Sequence, residues 1–223
     1  MSSENEGVDM GHPARPRGDV ARAKSGRSAA YWGIAFVVLL LVSAGMVSVP
    51  GEQDGVPFVR DFYQDHSGVI VTAQVIGLAA AVAFLGFVRR LQHSGWVGAA
   101  PWVLVSGAAV AGTAVLTAVP PLLLSQVAGS AGDGTVRSLA LASDLTDVAL
   151  FVAIAVFSGA VTVAVKSTWV RAVSAVVALL SGLRAVLLLA GSAALEVAAP
   201  MAFIVLVLCL AWCCWRWRGS ASG

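Results

Sequence analysis

Charge is scarce in this chain. Of its 223 residues only 12% are Asp, Glu, Lys or Arg, against 58% hydrophobic residues and a mean hydropathy of +0.86. Soluble domains carry about 25% charged residues, so this composition excludes a fold whose whole surface faces water. A net charge of +2 is too small for a nucleic-acid footprint, and no nucleic-acid partner is expected. Histidine is equally sparse: His12, His66 and His93 fall outside the centres of the apolar runs, which excludes paired haem ligands at matching depth. The three cysteines, Cys209, Cys213 and Cys214, lie in the last apolar run, where a disulfide framework of loop pairs is ruled out. There is no C-x-x-C pair, no H-E-x-x-H, no nucleophile-elbow serine and no nucleotide-binding glycine loop. No catalytic residue, cofactor or metal is therefore expected. Two lysines, Lys24 and Lys166, against twelve arginines, with heavy Ala, Val and Gly use, suggest a GC-rich bacterial source.

What is present is apolar sequence in long runs. Residues 1–28 are polar and mixed in charge, too poor in apolar side chains to bury a core, and predict a disordered tail. Six runs follow, at about 31–49, 68–88, 98–120, 145–165, 170–190 and 197–215. At about 1.5 Å per residue each can cross a hydrocarbon layer of about 30 Å. The expected fold is all-α, a polytopic bundle of six transmembrane helices over 29–218 with a short tail at 219–223. The first run is long for a signal peptide, and Val47-Ser48-Val49-Pro50 is a poor cleavage site. Between runs, 50–67 and 125–142 read as loops, with Ser143 as the N-cap of the fourth helix.

Six crossings place both termini on one side. On that side fall Arg15, Arg17, Arg22, Lys24, Arg27, Arg89, Arg90, Lys166, Arg171, Arg216 and Arg218; the opposite loops hold only Arg60 and Arg137. The positive-inside rule then makes both termini cytoplasmic, in a bacterial plasma membrane.

Helices in lipid associate through close backbone approach and interhelical hydrogen bonds. Small residues four apart could supply such faces: Gly77 and Ala81, Ala108 and Gly112, Ala155 and Gly159, and Ser174, Ala178 and Gly182. Most of Thr72, Ser106, Thr113, Thr117, Ser158, Thr162 and Ser181 are expected to bond their own helix backbone, whereas Gln74 is expected to face a neighbour.

Arg184 stands thirteen residues beyond Arg171, about 20 Å into the membrane. An arginine there costs roughly 2.5 to 3.5 kcal/mol unless answered, and Asp147 or Glu196 is the expected answer. Asp144, Asp147, Arg184 and Glu196 form a candidate polar or ion-pair site, with a structural ion pair or a snorkelling arginine as the plainer reading. Asp61, Asp65 and His66 form a candidate cluster at the outer face that could hold a cation, but their spacing matches no metal-site pattern and a solvated helix-entry loop is the plainer reading. The ending Cys213-Cys214-Trp215-Arg216-Trp217-Arg218 suits an inner interface and anionic lipid.

Phe62-Tyr63-Gln64-Asp65-His66 before the second run, Phe87-Val88-Arg89-Arg90-Leu91 after it, and Thr168-Trp169-Val170-Arg171 opening the fifth resemble a loose group of uncharacterised multi-pass membrane proteins of GC-rich Gram-positive bacteria. The likeness covers about residues 31–215; it implies the same helical layout and lends no activity. Three roles follow. The first is a non-catalytic accessory or structural component working through membrane lipids, a membrane-protein partner or its own copies. The second is a small-solute or ion transporter or channel with a polar path near Asp147 and Arg184. The third is an enzyme acting on a lipid-linked substrate at the outer face.

Overall fold

The computed structural model describes residues 17–47, 50, 55–94, 96–97, 100–192 and 194–216, with side chains from Arg27 onward. The expected tail segments 1–16 and 219–223, and Arg218, lie outside the described residues. Six helices account for most of the rest: α1 Arg17–Met46, α2 Val56–His93, α3 Pro101–Val127, α4 Asp133–Ala164, α5 Thr168–Leu189 and α6 Ala198–Arg216. Each contains a stretch long and apolar enough to cross a membrane, and no strand occurs among the described residues. The all-α, six-helix architecture is the one the apolar runs demand.

Helix ends differ from expectation, chiefly by extension. The tail expected over 1–28 is helical from Arg17, immediately after Pro16; no proline follows until Pro50 to interrupt it. The stretch 50–67, expected as a loop, is helical from Val56, with Pro57 in the first turn. Its acids obscured an apolar spacing of three to four residues: Val56, Val59, Tyr63. The fourth helix begins not at Ser143 but at Asp133, behind Gly132, because Val136, Leu139 and Ala140 continue its apolar face. Pro120 and Pro121, expected near the close of the third helix, lie inside it, and Leu122 to Val127 carry the helix on.

At about 1.5 Å per residue, the 38 residues of α2 span about 57 Å and the 32 of α4 about 48 Å. Both overshoot a hydrocarbon core of about 30 Å. Their surplus is at the end of the bundle away from the termini, the far end, where Val59, Tyr63, Ile70, Leu124, Ala128 and Val136 form an apolar core of their own. Arg60 clasps it from the rim, donating to the Ala131 carbonyl at 2.8 Å and to the Asp133 carboxylate at 2.7 Å. Asp133 is exposed, so this pair contributes at most about 1 kcal/mol.

Each helix packs on the next in sequence, and α6 returns to pack on both α1 and α5, closing a ring that α2 and α4 bridge. Phenylalanines fill its axis. Phe84 of α2 lies 5.0 Å from Phe36 of α1, 5.4 Å from Phe157 of α4 and 5.6 Å from Phe203 of α6, centroid to centroid. All four rings are buried, in tilted or edge-to-face arrangements that aromatic quadrupoles favour.

Glycine permits the tightest contacts, though mostly not where pairs four apart suggested. A Cβ on Gly107 would meet Val88 at 2.6 Å, one on Gly86 would meet Trp32 at 2.9 Å, and one on Gly33 would meet Phe87 at 3.1 Å. Gly77 does approach α1, with Ser43 Oγ 3.3 Å from the position of an added Cβ. By contrast Gly112, Gly159 and Gly182 face open space, and Ala108 is exposed. None of those three glycines is a point of close helix approach.

Candidate functional site

The α4–α5 hairpin folds about Lys166, so residues equally distant from it stand at equal heights. Ser158 and Ser174 lie eight residues either side, Phe151 and Ser181 fifteen, and Asp147 and Arg184 nineteen and eighteen. Ser174, Val177, Ser181 and Arg184 form the buried face of α5, at the spacings of three and four that keep side chains on one side of a helix. The polar residues of this hairpin are thereby turned inward rather than toward lipid.

Arg184 is only 6% exposed. It sits five residues before the end of α5, about 8 Å below the far end. Its Nη1 donates to the carbonyls of Ser192 (2.8 Å) and Ala194 (3.0 Å), and its guanidinium lies 6.0 Å from the centroid of the Phe151 ring. Nε is buried without a hydrogen-bond partner. The expected answers, Asp147 and Glu196, are not the direct acceptors of Nη1. Asp147 acts on Arg184 through space, and Glu196 is exposed.

The turn that receives Arg184 is closed by backbone. The Ser192 N–H bonds the Leu187 carbonyl and the Gly191 N–H bonds the Leu188 carbonyl, with Gly191 at φ 71, which is a Schellman termination. Leu195 is held at φ 65, a left-handed conformation costly for a branched side chain. Arg184 thus anchors a turn that contains strain, through two hydrogen bonds from one end of its guanidinium.

Beside it lies a residue that the sequence did not single out. Tyr63 of α2 is fully buried and its hydroxyl has no hydrogen-bond partner, yet it lies within electrostatic reach of Asp144 and Asp147. Both aspartates are half-buried within α4, well past its first turn, and so are not helix caps. Tyr63, Asp144, Asp147 and Arg184 make a polar cluster contributed by three helices, suited to holding a proton or an ordered water. The missed signal was again the four-residue step from Val59 to Tyr63, which turns the phenol inward.

Asp61, Asp65 and His66 point elsewhere. All three are exposed on the opening turns of α2, where His66 stacks on Phe62 at 4.7 Å and its Nδ1 lies 3.1 Å from the Phe62 carbonyl. Among the described residues no group of three His, Cys, Asp or Glu is placed to hold a metal.

Serines divide by location. Thr72, Ser106, Thr113, Thr117 and Thr162 bond carbonyls of their own helices, as expected. Ser158 and Ser181 do not; with Ser174 they are buried and have no hydrogen-bond partner among the described residues. Gln74 is half-buried.

Six apolar helices closed into a ring around an aromatic core, with the strongest buried charge turned inward, define a multi-pass membrane protein. Comparison with protein-family models, curated proteins and solved structures finds no match to the chain.

Proposed function

We propose that this protein is a non-catalytic accessory or structural component of the bacterial plasma membrane, working through lipids or membrane-protein partners, with both termini cytoplasmic. The observation that carries this reading is the Phe36–Phe84–Phe157–Phe203 plug, which leaves the ring axis filled rather than open. Arg184 is engaged by backbone carbonyls, as an anchoring cation would be. Asp61, Asp65 and His66 are exposed on the opening turns of α2, as side chains of a solvated rim would be. The purified chain in sealed vesicles is expected to pass neither protons nor small ions above the rate of protein-free vesicles. Flux that Asp147→Asn abolishes would overturn the proposal.

The second reading, a small-solute or ion carrier, is favoured by one observation: the Tyr63 hydroxyl and Arg184 Nε are buried without partners beside two carboxylates. The same flux assay decides between the two. Orientation is tested separately in a cysteine-free background. A membrane-impermeant thiol reagent added to intact cells is expected to label a cysteine at exposed Ser130 but not one at exposed His93; the reverse pattern sinks the topology.

A further inference from the structure

An apolar groove runs down the lipid-facing side of α6, between α1 and α5, at the end of the bundle that carries the termini. Ala30 and Ile34 form one wall and Trp169 the other, and the floor runs from Val205 to Trp215. The cavity measures about 590 Å³. Ten residues of floor make it about 15 Å long, half the hydrocarbon thickness and so the depth of a single leaflet.

An acyl chain gains little by leaving other chains for this groove, since lipid is as apolar as its walls. Some chain will fill it, and selection must come from the head group. Arg27 continues the face of Ala30 and Ile34, three and seven residues earlier, and is exposed. Arg216 follows Trp215 and lies 5.4 Å over the Trp212 ring. Lys166 is exposed just ahead of α5. Among the described side chains no acid lies at this end: Asp61, Asp65, Asp133, Asp144, Asp147 and Glu196 are all in the far half of the bundle. Among the described side chains, the groove thus opens onto charge of one sign.

We propose that this groove is a binding site for an anionic phospholipid, with one acyl chain along α6 and the head-group phosphate between Arg27 and Arg216. The site deepens the lipid side of the role above, and rests on it only in requiring a bilayer. Each cation near the head group favours an anionic lipid by about fivefold.

The full chain in vesicles, with phosphatidylglycerol or phosphatidylcholine brominated on the acyl chain, tests this through tryptophan quenching. Brominated phosphatidylglycerol is expected to quench at a several-fold lower mole fraction than brominated phosphatidylcholine. Arg27→Gln with Arg216→Gln is expected to abolish that preference, with quenching by phosphatidylcholine and helical content unchanged. A Cys209→Trp variant, filling the groove, is expected to lose the saturable component while keeping its fold. Equal quenching by the two lipids, a preference that survives the double substitution, or protection from both lipids by a second protein helix would each overturn the site. Ion flux would remove the accessory role and leave the lipid site standing, whereas loss of lipid preference would do the opposite.

Discussion

The α1–α2 and α4–α5 hairpins each join two neighbouring spans, yet opposite means hold them. Between α1 and α2 the backbones approach at Gly33 and Gly86, where Phe87 and Trp32 lie against bare Cα atoms, and Ser43 Oγ donates across to the Ala73 carbonyl at 2.8 Å. The α4–α5 face instead buries Ser158, Ser174, Ser181 and Arg184, and leaves several of their polar atoms unpartnered. Shape complementarity locks the first hairpin. The second carries buried polar groups where the first carries close backbone contact.

Phe84→Ala strikes the close-packed side hardest. Phe84 contacts four other rings, and its loss is expected to lower stability by about 3 kcal/mol, read from denaturant unfolding in micelles by circular dichroism. A change below about 1 kcal/mol would mean the aromatic core is not the keystone. Next comes Arg184→Leu, which removes two hydrogen bonds from a charged donor while relieving a buried charge, for a net loss of about 2 kcal/mol. Exposed Arg137→Leu should stay within about 0.5 kcal/mol, and equal effects would erase the distinction between a buried and an exposed cation. Gly107→Ala pushes a methyl against Val88 and should cost about 1 to 2 kcal/mol; melting temperatures of paired variants, with Val88→Ala as rescue, check whether the clash is the cause. Smallest are Ser158→Ala, Ser174→Ala and Ser181→Ala. Removing a buried hydroxyl that bonds nothing is expected to be neutral or slightly stabilising. A clear loss of stability in any of the three would show that the hydroxyl holds water or a ligand.

Most of the architecture was legible because the bilayer imposes one requirement on every span, about 20 apolar residues. The runs near α5 and α6 came within a few residues of the helices formed. Where helices leave the membrane that requirement lapses, and α2 and α4 continued through Asp61, Asp65 and Ser143, whose polarity resembled loop. Only a helical period, with Val59 and Tyr63 four apart and Val136 and Ala140 four apart, marked the extension. Of the candidate polar site, Asp144, Asp147 and Arg184 were legible because ionisable residues stand out in apolar sequence. Tyr63 was not, since an aromatic beside acids reads equally as an interfacial belt. Arg184's acceptors were hidden for another reason: every residue has a carbonyl, so nothing in the sequence marks which ones a turn will present.

The overshoot of α2 and α4 also affects how the protein meets membranes of unequal thickness. A span that ends flush with the hydrocarbon must tilt or thin the surrounding lipid when the bilayer changes depth. Here the projecting turns pack against one another through Val59, Tyr63, Leu124 and Val136, contacts made within the protein rather than with the surrounding lipid. The far rim can therefore ride higher or lower in the leaflet without unravelling, and adjustment to thickness falls to the short helices α5 and α6.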